Sequence, residues 1–404
     1  MTRGAWWGTG VLVAVVVGAL AVVMLNARGG QEGAAPTTSP ASSPPAATSA
    51  PPSPSPTPSP TADDGWTLEQ KVGQLFVVGV DLTEQAQVSE DSITEHHVGN
   101  LFLHGRSQAP AADVRALVER YTSLVGPQTT GGLPMYVSTD QEGGKVQVLQ
   151  GPDFSTIPSA LEQSTLDPTD LQAQATTWGT QLADVGVNLD LAPVMDLVPA
   201  GTEADNPPVG ALQRNYGTDP AGVASHANAF SAGLRDAGVQ VAIKHFPGLG
   251  RVSADTDASS GVTDDVTTSD DDAIGVFRSG IDAGAEMVMV STAVYTQLDP
   301  SAPAAFSPVV VTDLLRGSLG FDGLVITDDL SGAEQVQAWS PADRAIAAIA
   351  AGVDLVLVSK VPDVCPEMVD AVVHQAEVDP DFAAQVDAAF HRVLAAKHST
   401  LGAP

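Results

Sequence analysis

Eight short runs of apolar and β-branched residues recur at 75–80, 99–105, 133–140, 186–197, 241–248, 287–295, 322–330 and 352–359. Most are apolar at consecutive positions rather than alternating, which marks strands buried on both faces. Between them, Ala-rich stretches such as 111–125, 222–238 and 341–352 place their apolar residues at helical spacing. Strand and helix in alternation imply a parallel sheet covered by helices. About eight such units over roughly 340 residues predict a single (β/α)8 barrel of the TIM type, with an open doubly wound sheet as the alternative. No Gly-rich phosphate loop follows the first run, which argues against a nucleotide site.

The N-terminal part follows a different pattern. From Gly4 to Ala27 the chain carries no charge, with Arg3 before it and Arg28 after it. That length suits a membrane-spanning helix, whereas the core of a cleaved signal is shorter, about 7–15 residues. Residues 1–28 are therefore expected to be an uncleaved signal anchor; Ala19 and Ala21 leave a cleaved signal peptide as the alternative. No cysteine directly follows the run, so a lipid anchor is not expected. Residues 29–62 are dominated by Pro, Ser and Thr and cannot build a core, so a disordered tether is expected there. The positive N-terminus would stay inside the cell and the body, 63–404, outside it, or secreted if the segment is cleaved.

Composition narrows the partners. With 43% hydrophobic residues the body can bury a large core. Lys and Arg number 17 against 48 Asp and Glu, a formal net charge of -31. Nucleic acid and bare anionic lipid are poor partners for such a surface, so membrane contact is expected only through the N-terminal segment. Cys365 stands alone, which excludes an intramolecular disulfide and a Cys-rich metal site. His96 and His97 are adjacent and ill-spaced for a shared metal. No cofactor and no metal is expected, and a monomer is the expected state.

A barrel puts its chemistry just after the strands, on the C-terminal rim. Asp140, Gln141 and Glu142 follow the third run, Asp196 the fourth, Lys244 and His245 the fifth, and Asp328 and Asp329 the seventh; Arg214 lies in the long loop after the fourth. Carboxylates with Lys, Arg and His, without a serine elbow, point to a neutral polyhydroxy substrate. Lys244 as a Schiff-base lysine of an aldolase is the competing chemistry.

In this order and spacing, "WTLEQKVGQLF", "STDQEGGKVQ", "VNLDLAPVMDL", "RNYG", "KHFPGLG", "VITDDL" and "AGVDLVLV", spread over 66–358, resemble glycoside hydrolase family 3, in its single-domain β-N-acetylglucosaminidase branch. The resemblance implies a (β/α)8 barrel and a retaining mechanism through a glycosyl-aspartate. It implies that Asp328, first acid of "TDDL", is the nucleophile, and that Asp140, Arg214, Lys244 and His245 bond the sugar hydroxyls. Asp329 is expected to face away from Asp328, because neighbours alternate along a strand. Lys244 and Arg214 are expected to hold Asp328 ionised. The implied substrate is a terminal N-acetylglucosamine on cell-wall-derived glycan; a β-glycosidase of other sugar specificity and a silent sugar-binding barrel are the alternatives. The chain stops soon after its eighth run, so no second domain supplying an acid/base is expected.

The chain departs from the family pattern at four places. Lys145 replaces an arginine, and Thr292 stands where the pattern after the sixth strand has a histidine. In the loop after the fifth strand the family reads K-H-F-P-G-H-G-x-x-x-x-D-S-H, and its last histidine, paired with the aspartate two before it, is the acid/base. Here "KHFPGLGRVSADTD" has Leu249 at the first of the two loop histidines, keeps the aspartate as Asp255, and puts Asp257 at the acid/base position. Aspartate is ordinarily ionised near neutrality, so Asp257 could act as an acid only with a raised pKa, from burial or from the repulsion of Asp255 or Asp328.

Overall fold

The computed structural model describes residues 65–403. The expected anchor and tether lie outside the described residues. Among the described residues no helix is long and apolar enough to cross a membrane.

Eight parallel strands form one sheet: β1 Phe76–Asp81, β2 Asn100–His104, β3 Tyr136–Thr139, β4 Leu189–Asp190, β5 Gln240–Phe246, β6 Met287–Val290, β7 Leu324–Thr327 and β8 Val356–Val358. Their order is β7-β6-β5-β4-β3-β2-β1-β8, sequential apart from the last strand, which pairs with β1 through Phe76↔Val356, Val77↔Leu357 and Val78↔Val358. The remaining edges, β7 and β8, meet at the bridge Ile326↔Leu355, and the Leu357 N–H donates to the Thr327 hydroxyl at 3.0 Å. The sheet is thus a nearly closed barrel, and the open doubly wound alternative gives way to it. Phe76 to Val80 and Val356 to Val358 are buried at every position, as consecutive apolar residues enclosed on both sides require.

The strands are shorter than the apolar runs that announce them. Of 186–197 only Leu189–Asp190 enters the ladder. Pro193 has no N–H to give, and the ladder resumes only as the single bridge Val194↔Lys244. Within 287–295 the chain leaves the barrel after Val290, and Val294–Tyr295 pairs instead with Thr263–Asp264 from the loop after β5.

Four outer helices open in the same way, with an Asp or Ser cap followed by proline: Asp167 before Pro168–Ala183, Asp219 before Pro220–Asp236, Ser340 before Pro341–Ala351 and Asp379 before Pro380–Thr400. In each, the cap oxygen accepts a first-turn N–H, and the proline occupies a position that needs none. Gly352 ends the third of these at φ 106°, a conformation that a side chain would oppose. At the N-terminal end of the barrel, buried Lys397 of the last helix donates to Gln74 Oε1 at 2.7 Å and to the Gly99 carbonyl at 3.0 Å. The catalytic candidates sit at the opposite end.

Candidate active site

One cavity on the C-terminal rim collects Asp140, Arg214, Lys244, His245, Asp255, Asp257 and Asp328, the residues to which the family resemblance assigns a part in the chemistry. Leu191, Pro208, Leu249, Thr256, Met289 and Leu357 complete its wall, and it holds about 470 Å³, open mouth included.

The floor is an ion network. Asp140 follows β3, and its Oδ1 accepts from Lys244 Nζ at 2.6 Å. The same ammonium stands 2.7 Å from Glu142 Oε1. Arg214 grips Glu142 with two bonds, Nε to Oε2 at 2.9 Å and Nη2 to Oε1 at 2.7 Å, and donates a third to the Pro208 carbonyl at 2.7 Å. Glu142 is buried, which alone would raise its pKa, but the charges of Arg214 and Lys244 lower it to about 2. The two cations are in turn held well above their ordinary values against burial, chiefly by Glu142 for Arg214 and by Asp140 and Glu142 for Lys244. A Schiff base needs a lysine that loses its proton readily; Lys244 is the reverse, so the aldolase alternative fails.

His245 is oriented from behind. Its Nδ1 lies 2.7 Å from Asp196 Oδ2, while Asp196 Oδ1 accepts from the backbone N–H groups of His245 and Leu249 at 3.0 and 2.8 Å. Its Nε2 is 3.3 Å from Arg214 Nη2, and both ring contacts are hydrogen bonds when Nδ1 carries the proton and Nε2 accepts. Lys244 and His245 both line the cavity although neighbours in a strand ordinarily face opposite sides.

Asp328 closes β7, and its N–H donates to the Val290 carbonyl at 3.0 Å. Asp329 is turned away from the cavity: Ser331, Gly332 and Ser359 N–H groups donate to its carboxylate, so it ties the loops after β7 and β8 together. The expectation that Lys244 and Arg214 would favour ionised Asp328 holds in sign for Lys244, whose charge pulls the Asp328 pKa down. Both cations are engaged with Asp140 and Glu142, and burial of Asp328 outweighs the pull of His245, the Asp329 N–H and Lys244, so its pKa is raised.

Asp257 and Asp255 come from the loop after β5. Asp255 Oδ1 accepts the Asp257 N–H at 2.9 Å in a tight turn, and the Asp255 charge acts on the Asp257 carboxyl. Asp257 keeps solvent-exposed surface at the mouth, yet its carboxyl loses hydration in the cleft and faces the charges of Asp328, Asp255 and Asp329. Its pKa is raised to about 7.

Of the departures, Leu249 is buried in the cavity wall, and Lys145 is exposed, contributing its carbonyl to Arg106 rather than its ammonium to a carboxylate. Thr292 is buried with its hydroxyl unpartnered. Among the described residues no group of His, Cys, Asp and Glu could hold a metal. His96 pairs with Asp370, and His97 bonds the Thr129 carbonyl.

The model of the glycosyl hydrolase family 3 N-terminal domain matches residues 67–396. The chain belongs to glycoside hydrolase family 3. It is accordingly a glycoside hydrolase, acting on O-glycosyl bonds. Among family 3 relatives it is 35% identical to the β-hexosaminidase LpqI of Mycobacterium tuberculosis, over 71% of this chain and 72% of that one. It is 31% identical to a β-hexosaminidase of Stenotrophomonas maltophilia, over 75% of this chain and 87% of that one. The crystal structure of a β-N-acetylhexosaminidase from Beutenbergia cavernae superposes with a TM-score of 0.81 at 62% identity, covering 82% of this chain and 98% of that one.

Three residues of the site carried no role in the sequence reading. Glu142 and Asp196 were visible as rim carboxylates, but only their partners show that one neutralises the floor and the other aims His245. Asp190, at the end of β4, is fully buried; its Oδ1 accepts the Gln141 N–H at 2.9 Å and its Oδ2 has no partner. Burial first, with repulsion from Asp140 and Glu142 adding to it, raises its pKa to about 8. The alternation of side chains in "VNLDLAP" is the signal that could have pointed Asp190 inward.

Proposed function

We propose that this chain is a retaining β-N-acetylhexosaminidase that removes terminal N-acetylglucosamine through a glycosyl-aspartate on Asp328, with Asp257 as acid/base. One observation carries the reading: Asp257 and Asp328 line the same cavity, where burial and the charges of Asp328 and Asp255 raise the Asp257 pKa to about 7. Two acids crowded in one cleft do not readily ionise together, so one proton stays on the pair over a range around neutrality. With Asp328 ionised and Asp257 protonated, Asp328 attacks the anomeric carbon while Asp257 gives its proton to the departing oxygen. The resulting Asp257 carboxylate then takes a proton from water as water displaces Asp328, which restores both groups. Asp140, Lys244, Arg214 and His245 line the same cavity with paired donors and acceptors suited to sugar hydroxyls.

The relatives named as β-hexosaminidases support the choice of sugar. The N-terminal apolar run and Pro/Ser/Thr segment support a body held outside the cell, where cell-wall-derived glycan fragments would be its substrates. The test is hydrolysis of aryl β-N-acetylglucosaminides and aryl β-glucosides by residues 63–404, with the anomer of the first product followed by NMR. Release of β-N-acetylglucosamine, with the β-glucoside much slower, is expected. Faster β-glucoside cleavage would overturn the choice of sugar, initial release of the α-anomer would overturn retention, and no cleavage of either would favour a sugar-binding barrel.

A further inference from the structure

The loop that carries Asp257 is built into the rim on three sides. Next to β5, Asn206 from the loop after β4 donates to the carbonyls of Leu249 at 2.8 Å and Val252 at 2.9 Å. At its far end, Thr263–Asp264 pairs in parallel with Val294–Tyr295. The third hold comes from the short 3-10 turn Glu334–Val336 after β7, and it lies against the acid itself. The Gln335 side chain takes both polar groups of one residue: Oε1 accepts the Val262 N–H at 2.8 Å, and Nε2 donates to the Val262 carbonyl at 3.1 Å. The same turn gives two backbone bonds, Gln335 N–H to the Thr256 carbonyl at 3.0 Å and Glu334 N–H to the Asp257 carbonyl at 3.3 Å. Gln335, Thr256 and Val262 are all buried, so the three bonds that Gln335 makes do not compete with water, whereas Glu334 and Asp257 are exposed.

We infer that Gln335 is a positioning residue, which holds the loop 255–262 against the turn after the nucleophile's strand and thereby fixes Asp257 over the bond to be cleaved. The turn Gln335 belongs to begins six residues after Asp328, so one segment of chain carries the nucleophile and fixes the acid. This matters more for aspartate than for histidine. An aspartate has one bond fewer to reach with, and its raised pKa comes first from the lost hydration of its carboxyl in the cleft and then from the charges of Asp328 and Asp255. A loop released from Gln335 would let the Asp257 carboxyl leave the cleft, lower its pKa and lose the proton it must donate.

The inference rests on Asp257 being the acid, and the experiment separates the two. Gln335→Met keeps the length and bulk and removes both side-chain bonds; Gln335→Glu keeps the acceptor for Val262 N–H and removes the donor. Rates are read as kcat/KM for two aryl β-N-acetylglucosaminides, one with a good and one with a poor leaving group, because only the poor one needs the proton. Gln335→Met should lose roughly 10–100-fold on the poor leaving group and far less on the good one, with the alkaline limb of the pH profile displaced to lower pH. Gln335→Glu should fall between Met and wild type. In an Asp257→Asn background, Gln335→Met should add little to the leaving-group discrimination.

Equal losses on both substrates in Gln335→Met, with an unmoved pH limb, would overturn the positioning role. If Gln335→Met does not fold, the Gln335→Glu enzyme is read alone, and wild-type discrimination and pH profile there would overturn the inference. If Asp257→Asn itself leaves the discrimination unchanged, the assignment of the acid fails instead.

Discussion

The Arg214 guanidinium holds the Glu142 carboxylate in a two-bond grip of 2.9 and 2.7 Å, beneath the cavity in which Asp328 stands. Lys244 also lies 2.7 Å from Glu142, so both cations of the floor are paired with a carboxylate, although Lys244 still pulls the Asp328 pKa down. The Asp328 pKa is nonetheless raised, because burial outweighs the pull of His245, the Asp329 N–H and Lys244.

Glu142→Gln therefore tests the floor. It leaves buried Arg214 and Lys244 without their shared counter-charge, and breaking a buried pair in this way costs about 3–5 kcal/mol. A lower midpoint in urea unfolding should report that loss. In the surviving folded enzyme the acid limb of kcat/KM should move to lower pH, because freed positive charge favours ionised Asp328. An unchanged midpoint and limb would show that Glu142 carries no such burden.

Asp257 makes a second prediction with a definite sign. A general acid must hold its proton, and with the Asp257 pKa raised to about 7, kcat/KM for a poor leaving group should fall as pH rises through about 7. Asp257→Ala should lose roughly 10²–10⁴-fold on that substrate, lose the alkaline limb, and regain turnover on an activated substrate with azide. Retention of the limb in Asp257→Ala would assign it to another group.

Asp190 predicts a pH dependence of stability rather than of rate. Its folded pKa is raised to about 8, above the ordinary aspartate value near 3.9 that the unfolded chain would show. Between those values the folded state binds the extra proton, so this group makes stability fall as pH rises from about 4 to about 8. Asp190→Asn keeps an oxygen for the Gln141 N–H and removes the titration. Urea midpoints measured from pH 5 to 9 should decline less steeply in the variant; parallel curves would refute the assignment.

How much of this the sequence disclosed depended on whether the signal was local. Residues 75–80 and 355–358 are apolar at consecutive positions, and that pattern was enough to announce buried parallel strands. Pro193 and the departure after Val290 shortened two other strands for reasons that lie in backbone hydrogen bonding, which apolar content does not register. The rim carboxylates were legible because a barrel confines chemistry to strand ends. Their division of labour was not: Glu142 and Arg214 are 72 residues apart, Asp196 and His245 are 49 apart, and nothing short-range tells a carboxylate that pairs a cation from one left free to react. Gln335 was invisible for the same reason, since its partner Val262 is 73 residues away.

The central claim is that Asp328 becomes covalently bonded to the sugar, and trapping measures it most directly. Residues 63–404 would be incubated with a fluorinated, activated N-acetylglucosaminide that forms the glycosyl-enzyme faster than water releases it, then examined by intact and peptide mass spectrometry. A single sugar adduct located on Asp328, absent in Asp328→Ala, is the predicted result. Turnover of an ordinary activated substrate with no adduct on Asp328, or with the adduct on another residue, would contradict it.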